Sequence, residues 1–237
     1  MIALEGLRTL GHVFLRPLTR NHLAETTAYL LSCAVHRDAH VPQTARNRGD
    51  PDPIPRDHAA HSECICVRTV DAIVAPHLFE RGLEMTDLAS EYLGRDPAVA
   101  YSANAFWTRP GSAPLRDDIQ SFHVDTDDTR FLAMFVYLTD VLTDEDGPQD
   151  LEGPDGIRRT IKGPSGTVFL ADTSRPHRGR KPQSGERGIW WWRWGVSDHP
   201  PANVWDKIAP IPASALGDRY PADPRLRESI KLLVSPP

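Results

Sequence analysis

The chain has 237 residues, 40% of them hydrophobic and 25% charged, with a formal net charge of -5; that is enough for one sizeable core, and it excludes a broad cationic surface for a phosphate backbone, despite a local cluster at Arg175, Arg178, Arg180 and Lys181. No stretch reaches the roughly 20 apolar residues of a membrane span, and residues 1–6 lack the charged start and long apolar run of a signal peptide, so the expectation is a cytoplasmic protein with neither a membrane nor nucleic acid as partner. Cys33, Cys64 and Cys66 are too few and too unevenly placed for a disulfide framework and are expected as free thiols.

Residues 1–97 are expected to be mainly helical. Within 21–40, Leu23, Thr26, Thr27, Leu30, Leu31, Ala34 and Val35 recur at helical spacing. Residues 42–55 crowd Asn, Gly, Asp, Arg and Pro without an apolar period, which marks a candidate lid loop. His58, His61, Cys64 and Cys66 offer zinc-type donors, but their irregular spacing favours a solvated loop leading into an apolar segment. A second helix is expected over 70–93, striped by Ile73, Val74, Leu78, Phe79, Leu83, Leu88 and Leu93, disturbed by Pro76 and ended by Gly94.

From residue 98 the pattern becomes short strands between turn formers: 101–107, 119–125, 131–141, 156–161, 167–172 and 188–196. A mainly β core of the sandwich or barrel kind is expected over 98–196. In the last strand, alternation sends Trp190, Trp192 and Trp194 to one face and Trp191 and Arg193 to the other, so packing explains the tryptophans better than a stacking platform does. Residues 197–237 are proline-rich, with a weak helical signal at 224–234, and should wrap the core of what reads as a single domain.

The chemistry concentrates in His123-Val124-Asp125, followed 54 positions later by His177. Two imidazoles and a carboxylate are the ligand set of a facial Fe(II) triad with open coordination positions. On a strand, residues i and i+2 point the same way, so His123 and Asp125 can hold one metal; on a helix they diverge. That distinction sets aside His36-Arg37-Asp38, which has the same pattern at the end of the expected 21–40 helix.

The order of cues resembles the phytanoyl-CoA dioxygenase-like branch of the Fe(II)/2-oxoglutarate oxygenases: Gln120-Ser121-Phe122-His123-Val124-Asp125, then 135–141, Asp146-Gly147-Pro148, Gly166-Thr167 opening a strand, and Asp172-Thr173 before His177-Arg178-Gly179. The likeness covers roughly residues 100–196. It implies a double-stranded β-helix (jelly-roll, cupin-like) core, in an α+β or mainly β chain, with helices packed on one side. It assigns His123, Asp125 and His177 as iron ligands and Arg187, ten positions past the last ligand, as the clamp for the distal carboxylate of 2-oxoglutarate. A planar guanidinium suits that task; the alternative for Arg187 is a surface salt bridge with Glu186. Asn104 is a candidate for the other end of the cosubstrate or for ordinary strand hydrogen bonding, and Trp107 for the substrate cavity or for the core.

The implied reaction consumes O2 and 2-oxoglutarate, releases succinate and CO2, and hydroxylates a C–H bond of a small organic molecule. Related halogenating enzymes lack the carboxylate ligand, so Asp125 favours hydroxylation. The stretch Gly147-Pro148-Gln149-Asp150-Leu151-Glu152-Gly153 departs from the family's loop, and its contacts do not carry over. Two rival readings are a cupin-like isomerase or thiol oxygenase without 2-oxoglutarate, which would have no use for Arg187 as a clamp, and a catalytically silent β-barrel binding module.

Overall fold

Strands buried on both faces need a layer on each side. Phe131–Tyr137 is such a strand, with all seven residues buried, and Arg187–Gly195 is nearly so. The computed structural model, which describes residues 2–37, 64–67, 69–111, 120–126, 128–198, 213 and 223–234, supplies both layers. In chain order the strands are β1 (His12–Leu15), β2 (Val35–Arg37), β3 (Cys64–Val67), β4 (Val99–Thr108), β5 (Phe131–Tyr137), β6 (Gln149–Glu152), β7 (Arg158–Ile161), β8 (Val168–Ala171), β9 (His177–Gly179) and β10 (Arg187–Gly195). The helices are α1 (Ile2–Leu10), α2 (Arg20–Ser32), α3 (Thr69–Ile73), α4 (Leu78–Glu84), α5 (Thr86–Leu93) and α6 (Pro224–Ile230).

A seven-stranded sheet, ordered β1-β8-β5-β10-β4-β3-β2, faces a three-stranded sheet, β7-β6-β9, and every strand pair is antiparallel. The period of two along each strand divides the core. Leu132, Met134, Val136, Trp190, Trp192 and Trp194 pack against helix residues such as Leu7, Leu30, Leu78 and Leu93. Ala133, Phe135, Tyr137, Phe106 and Ile189 face the other way, meeting Leu151, Ile161 and Phe169. The helices thus lie on one side of the large sheet, and the alternation expected for residues 190–194 is the one observed.

Two expectations for the first hundred residues change. The 21–40 helix ends at Ser32: Cys33 turns extended with ψ 148°, and residues 35–37 pair with β3, His36 opposite Cys66. The segment is a strand because it finds a distant partner, which a local helical period cannot reveal. The 70–93 helix is three short helices; Pro76 has no N–H to continue α3, and its carbonyl instead accepts from Thr26 Oγ1 at 2.7 Å. Gly94 does end α5, with φ 73° and its N–H on Ser90 O. The described part of this region is otherwise mainly helical, as expected, with the short strands β1, β2 and β3 added to it. The candidate lid at 42–55 lies outside the described residues, as does most of 197–237; of the latter, α6 sends Ile230 into the helix-side core, joined by Leu233. No helix among the described residues is long and apolar enough to cross a membrane.

Candidate functional site

Residues 120–125 do not form the strand expected over 119–125. Residues 120–126 run without a ladder, and the one bridge is between His123 and His177, which exchange N–H···O bonds of 3.0 and 2.9 Å, while Asp125 N–H donates to Thr173 O at 3.2 Å. This bridge preserves the alternation: Val124 is 46% exposed, and His123 and Asp125 turn inward.

The two imidazoles have matched tautomers. His123 Nδ1 lies 2.9 Å from Ser121 O and His177 Nδ1 2.9 Å from Arg175 O. A carbonyl only accepts, so each Nδ1 carries the proton and each Nε2 keeps its lone pair. Those lone pairs converge on one carboxylate, with His123 Nε2 3.7 Å from Asp125 Oδ1 and His177 Nε2 3.5 Å from Asp125 Oδ2. One ligand atom from each residue lies within 4.8 Å of the others, and among the described residues this is the single group of three His, Cys, Asp or Glu side chains able to hold a metal ion in that way. His58, His61 and Asp38 lie outside the described residues; Cys66 is a buried free thiol.

Burial sets the charge state. It lowers the His177 pKa to about 4, against the pull of Asp125, so this imidazole is neutral near pH 7. Burial alone would raise the Asp125 pKa, but the Arg193 guanidinium, followed by His177 and His123, brings it below the ordinary carboxylate value. Arg193 Nη2 is 2.8 Å from Asp125 Oδ2, and its guanidinium stacks 4.3 Å over the Trp191 ring.

Beside the triad is a pocket enclosing about 510 Å³ including its mouth, lined by Phe106, Thr108, His123, Phe135, Gln149, His177, Gly179, Arg187, Ile189 and Trp191. Its walls are aromatic, with Phe106 edge-on to Trp191 at 5.2 Å. Arg187 is 5% exposed. Its Nη1 donates to Gly147 O and, at 3.0 Å, to Arg180 O, and its Nη2 faces Thr108 Oγ1 at 3.4 Å. Glu186 pairs instead with Arg109 at 2.5 Å, so the surface salt bridge considered for Arg187 is not what holds it.

Of the residues singled out in the sequence, His123, Asp125, His177 and Arg187 come together. Asn104 lies on the same face of β4 as Phe106 and Thr108, but it is half-buried and engaged: with its carboxamide oriented to satisfy its neighbours, its oxygen accepts from Trp191 Nε1 at 2.7 Å and from Ser102 Oγ at 2.9 Å. Trp107 is buried in the helix-side core because alternation along β4 turns it away from the pocket. The sequence reading missed Gln149, Thr108 and Gly179 in the pocket, and Arg193 beside Asp125. Alternation had placed Arg193 on the Trp191 face, and that face is the signal that could have found it.

The sequence matches no protein-family model and no curated protein. Solved structures do match. HygX from Streptomyces hygroscopicus, crystallised with nickel, 2-oxoglutarate and hygromycin B bound, superposes with a TM-score of 0.59 at 13% identity, over 83% of this chain and 87% of that one. The likeness is one of fold. The non-heme alpha ketoglutarate dependent epimerase SnoN from nogalamycin biosynthesis gives 0.57 at 14%, over 81% of each chain. An oxidoreductase of the 2OG-Fe(II) oxygenase family from Burkholderia pseudomallei gives 0.56 at 14%, over 83% and 90%. The two antiparallel sheets are therefore a jelly-roll-type sandwich shared with oxygenase-like enzymes.

Proposed function

We propose that this chain is a non-haem Fe(II)- and 2-oxoglutarate-dependent oxygenase of the phytanoyl-CoA dioxygenase-like branch, a cytoplasmic single-domain enzyme that hydroxylates a C–H bond of a small organic molecule. The observation that carries the reading is the convergence of two imidazole Nε2 lone pairs and the Asp125 carboxylate beside a pocket in which Arg187 is buried. Strand order supports it: β4, β5, β8 and β10 lie in the large sheet and the 120–126 segment, β6, β7 and β9 on the small-sheet side, the shuttling expected of a double-stranded β-helix.

The donor set fits the metal. Two imidazoles whose Nδ1–H bonds leave Nε2 as the ligand atom, together with one ionised carboxylate, suit a divalent iron that keeps open positions. HygX was crystallised with nickel and 2-oxoglutarate, and SnoN in complex with Fe3+, alpha ketoglutarate and nogalamycin RO, which supports the same pair of cofactors here. Bound together with O2, iron and 2-oxoglutarate would supply oxidative attack on a C–H bond, with succinate and CO2 as co-products.

The protein's own groups bind and orient. Arg187, aimed by its bonds to Gly147 O and Arg180 O, and the Thr108 hydroxyl would receive the distal carboxylate. Phe106, Phe135, Ile189 and Trp191 exclude water around that ion pair, which strengthens it. The Nδ1 bonds to Ser121 O and Arg175 O fix both rings, Arg193 orients Asp125, and Asn104 is assigned a positioning role through Trp191. A cupin-like protein without 2-oxoglutarate would have no use for a buried arginine at that place. Anaerobically purified protein given Fe(II), 2-oxoglutarate and then O2 should form succinate; a yield no greater than that of His123→Ala would overturn the proposal.

A further inference from the structure

We infer that Gln149 is a specificity-determining residue of this pocket: its carboxamide joins Arg187 at the distal carboxylate of the cosubstrate and limits the cosubstrate's length. The inference rests on the 2-oxoglutarate reading of the site.

Gln149 opens β6 and stands opposite Gly179 of β9 in the register. Alternation along β6 separates it from Asp150, whose carboxylate is taken by Arg178, Arg180 and Thr160. Gln149 is 7% exposed and lines the pocket. A Cβ on Gly179 would lie 3.0 Å from Gln149 Nε2 and 3.0 and 3.1 Å from Arg187 Nη1 and Nη2. Amide and guanidinium therefore meet over one glycine whose missing side chain leaves room for both.

The Gln149 main chain is pinned, its N–H donating to Tyr137 Oη at 3.2 Å, whereas its carboxamide hydrogen-bonds to none of the described residues. Buried polar groups are ordinarily satisfied, and a primary amide beside a guanidinium offers its N–H groups to a carboxylate. Arg187 Nη1 is committed to two backbone carbonyls, so the Gln149 amide and the Thr108 hydroxyl complete the donors for two carboxylate oxygens. A site built around such donors rejects a ligand that leaves them unpaired. The side chain also occupies the space that a 2-oxo diacid one methylene longer would need.

The test uses protein loaded with redox-inert Zn(II), so that binding is read without turnover. Affinities for 2-oxoglutarate and 2-oxoadipate are measured by calorimetry, with Zn(II) affinity as the control for an intact fold. Gln149→Leu, which keeps bulk and loses the donor, should bind 2-oxoglutarate about tenfold more weakly with Zn(II) affinity unchanged. Gln149→Ala should narrow the preference for 2-oxoglutarate over 2-oxoadipate by about tenfold. Gln149→Glu, nearly identical in shape, would pair with Arg187 itself and should weaken 2-oxoglutarate most; it decides the matter if the smaller variants fail to fold. Wild-type affinity and preference in the folded variants would overturn the inference. If Arg187→Ala abolishes binding while the Gln149 variants bind normally, the role of Gln149 alone fails; if the wild-type protein binds no 2-oxoglutarate, the cosubstrate reading fails with it.

Discussion

Arg193 Nη2 lies 2.8 Å from Asp125 Oδ2, with the arginine side chain 9% exposed and the carboxylate side chain 13%. The same carboxylate faces both imidazoles, so the metal-free site already holds a positive charge where a divalent ion would add more. Breaking a buried pair by removing one partner costs about 3–5 kcal/mol, because the remaining charge is uncompensated. Arg193→Met should therefore lower the melting temperature of metal-free protein. A divalent ion would then supply the missing positive charge, so the metal-induced rise in Tm should be larger in the variant than in the wild type. Equal rises, read by scanning calorimetry, would mean that Arg193 does not bear on the carboxylate's charge.

His177 makes stability depend on pH in a defined window. Its pKa is about 4 in the folded protein against an ordinary 6.5, so between those values the unfolded chain binds a proton that the folded chain does not. Stability of metal-free protein should fall as pH drops from about 6.5 to about 4, by on the order of 3 kcal/mol, with no contribution from this group above that window. Asp125 works at lower pH: its depressed pKa gives stability that is present above the ordinary carboxylate value and lost on further acidification. Urea titrations of wild type and His177→Gln across pH 4–7 check the first window, where the variant should lack the slope.

Gly179→Ala would place a methyl group 3.0 Å from both Arg187 Nη1 and Gln149 Nε2. The guanidinium is tied to two carbonyls and has little freedom to yield, so the methyl should tilt it out of line. Affinity for 2-oxoglutarate should fall by about tenfold, the scale of one charge-assisted hydrogen bond, with metal affinity unchanged. Titrating metal and 2-oxoglutarate separately distinguishes this from general damage to the fold.

Gly82 tests the helix layer. A Cβ there would lie 2.8 to 3.0 Å from three atoms of the Trp192 indole, so α4 reaches the sheet because it presents a glycine to a tryptophan. Alanine favours a helix by about 1 kcal/mol over glycine, but overpacking of this kind costs about 1–3 kcal/mol. The clash should win, and Gly82→Ala should unfold at lower urea with its metal site intact when folded.

What could be read from the sequence was what the chain encodes locally. Trp190 to Trp194 announced their own alternation because β10 is long and every second residue is large. His123, Asp125, His177 and Arg187 could be picked out as one group because metal and carboxylate binding call for particular side chains at particular spacings, and the fold does bring them together. Residues 35–37 were not: Ala34 and Val35 continue the helical period of α2, and only pairing with β3 makes them a strand. β6 hid among Asp, Glu, Gly and Pro, and with it Gln149. Trp107 read equally as a cavity or a core residue, and register decides for the core by setting which face of β4 it occupies. Even the strand argument for His123 and Asp125 reached the right arrangement by a looser route, since a single bridge to His177 does what a ladder was expected to do. The β2–β3 pairing corrects the treatment of His36, which lies on an edge strand of the large sheet and not on a helix.

In the proposed enzyme one iron and one 2-oxoglutarate meet between His123, Asp125, His177 and Arg187. Anaerobic addition of 2-oxoglutarate to Fe(II)-loaded protein tests this through the visible metal-to-ligand charge-transfer absorption of a chelated 2-oxo acid. A saturable band is expected in the wild type, lost in His123→Ala and shifted to much higher 2-oxoglutarate concentration in Arg187→Ala. Iron-loaded wild-type protein with no such band at any concentration of 2-oxoglutarate would contradict it.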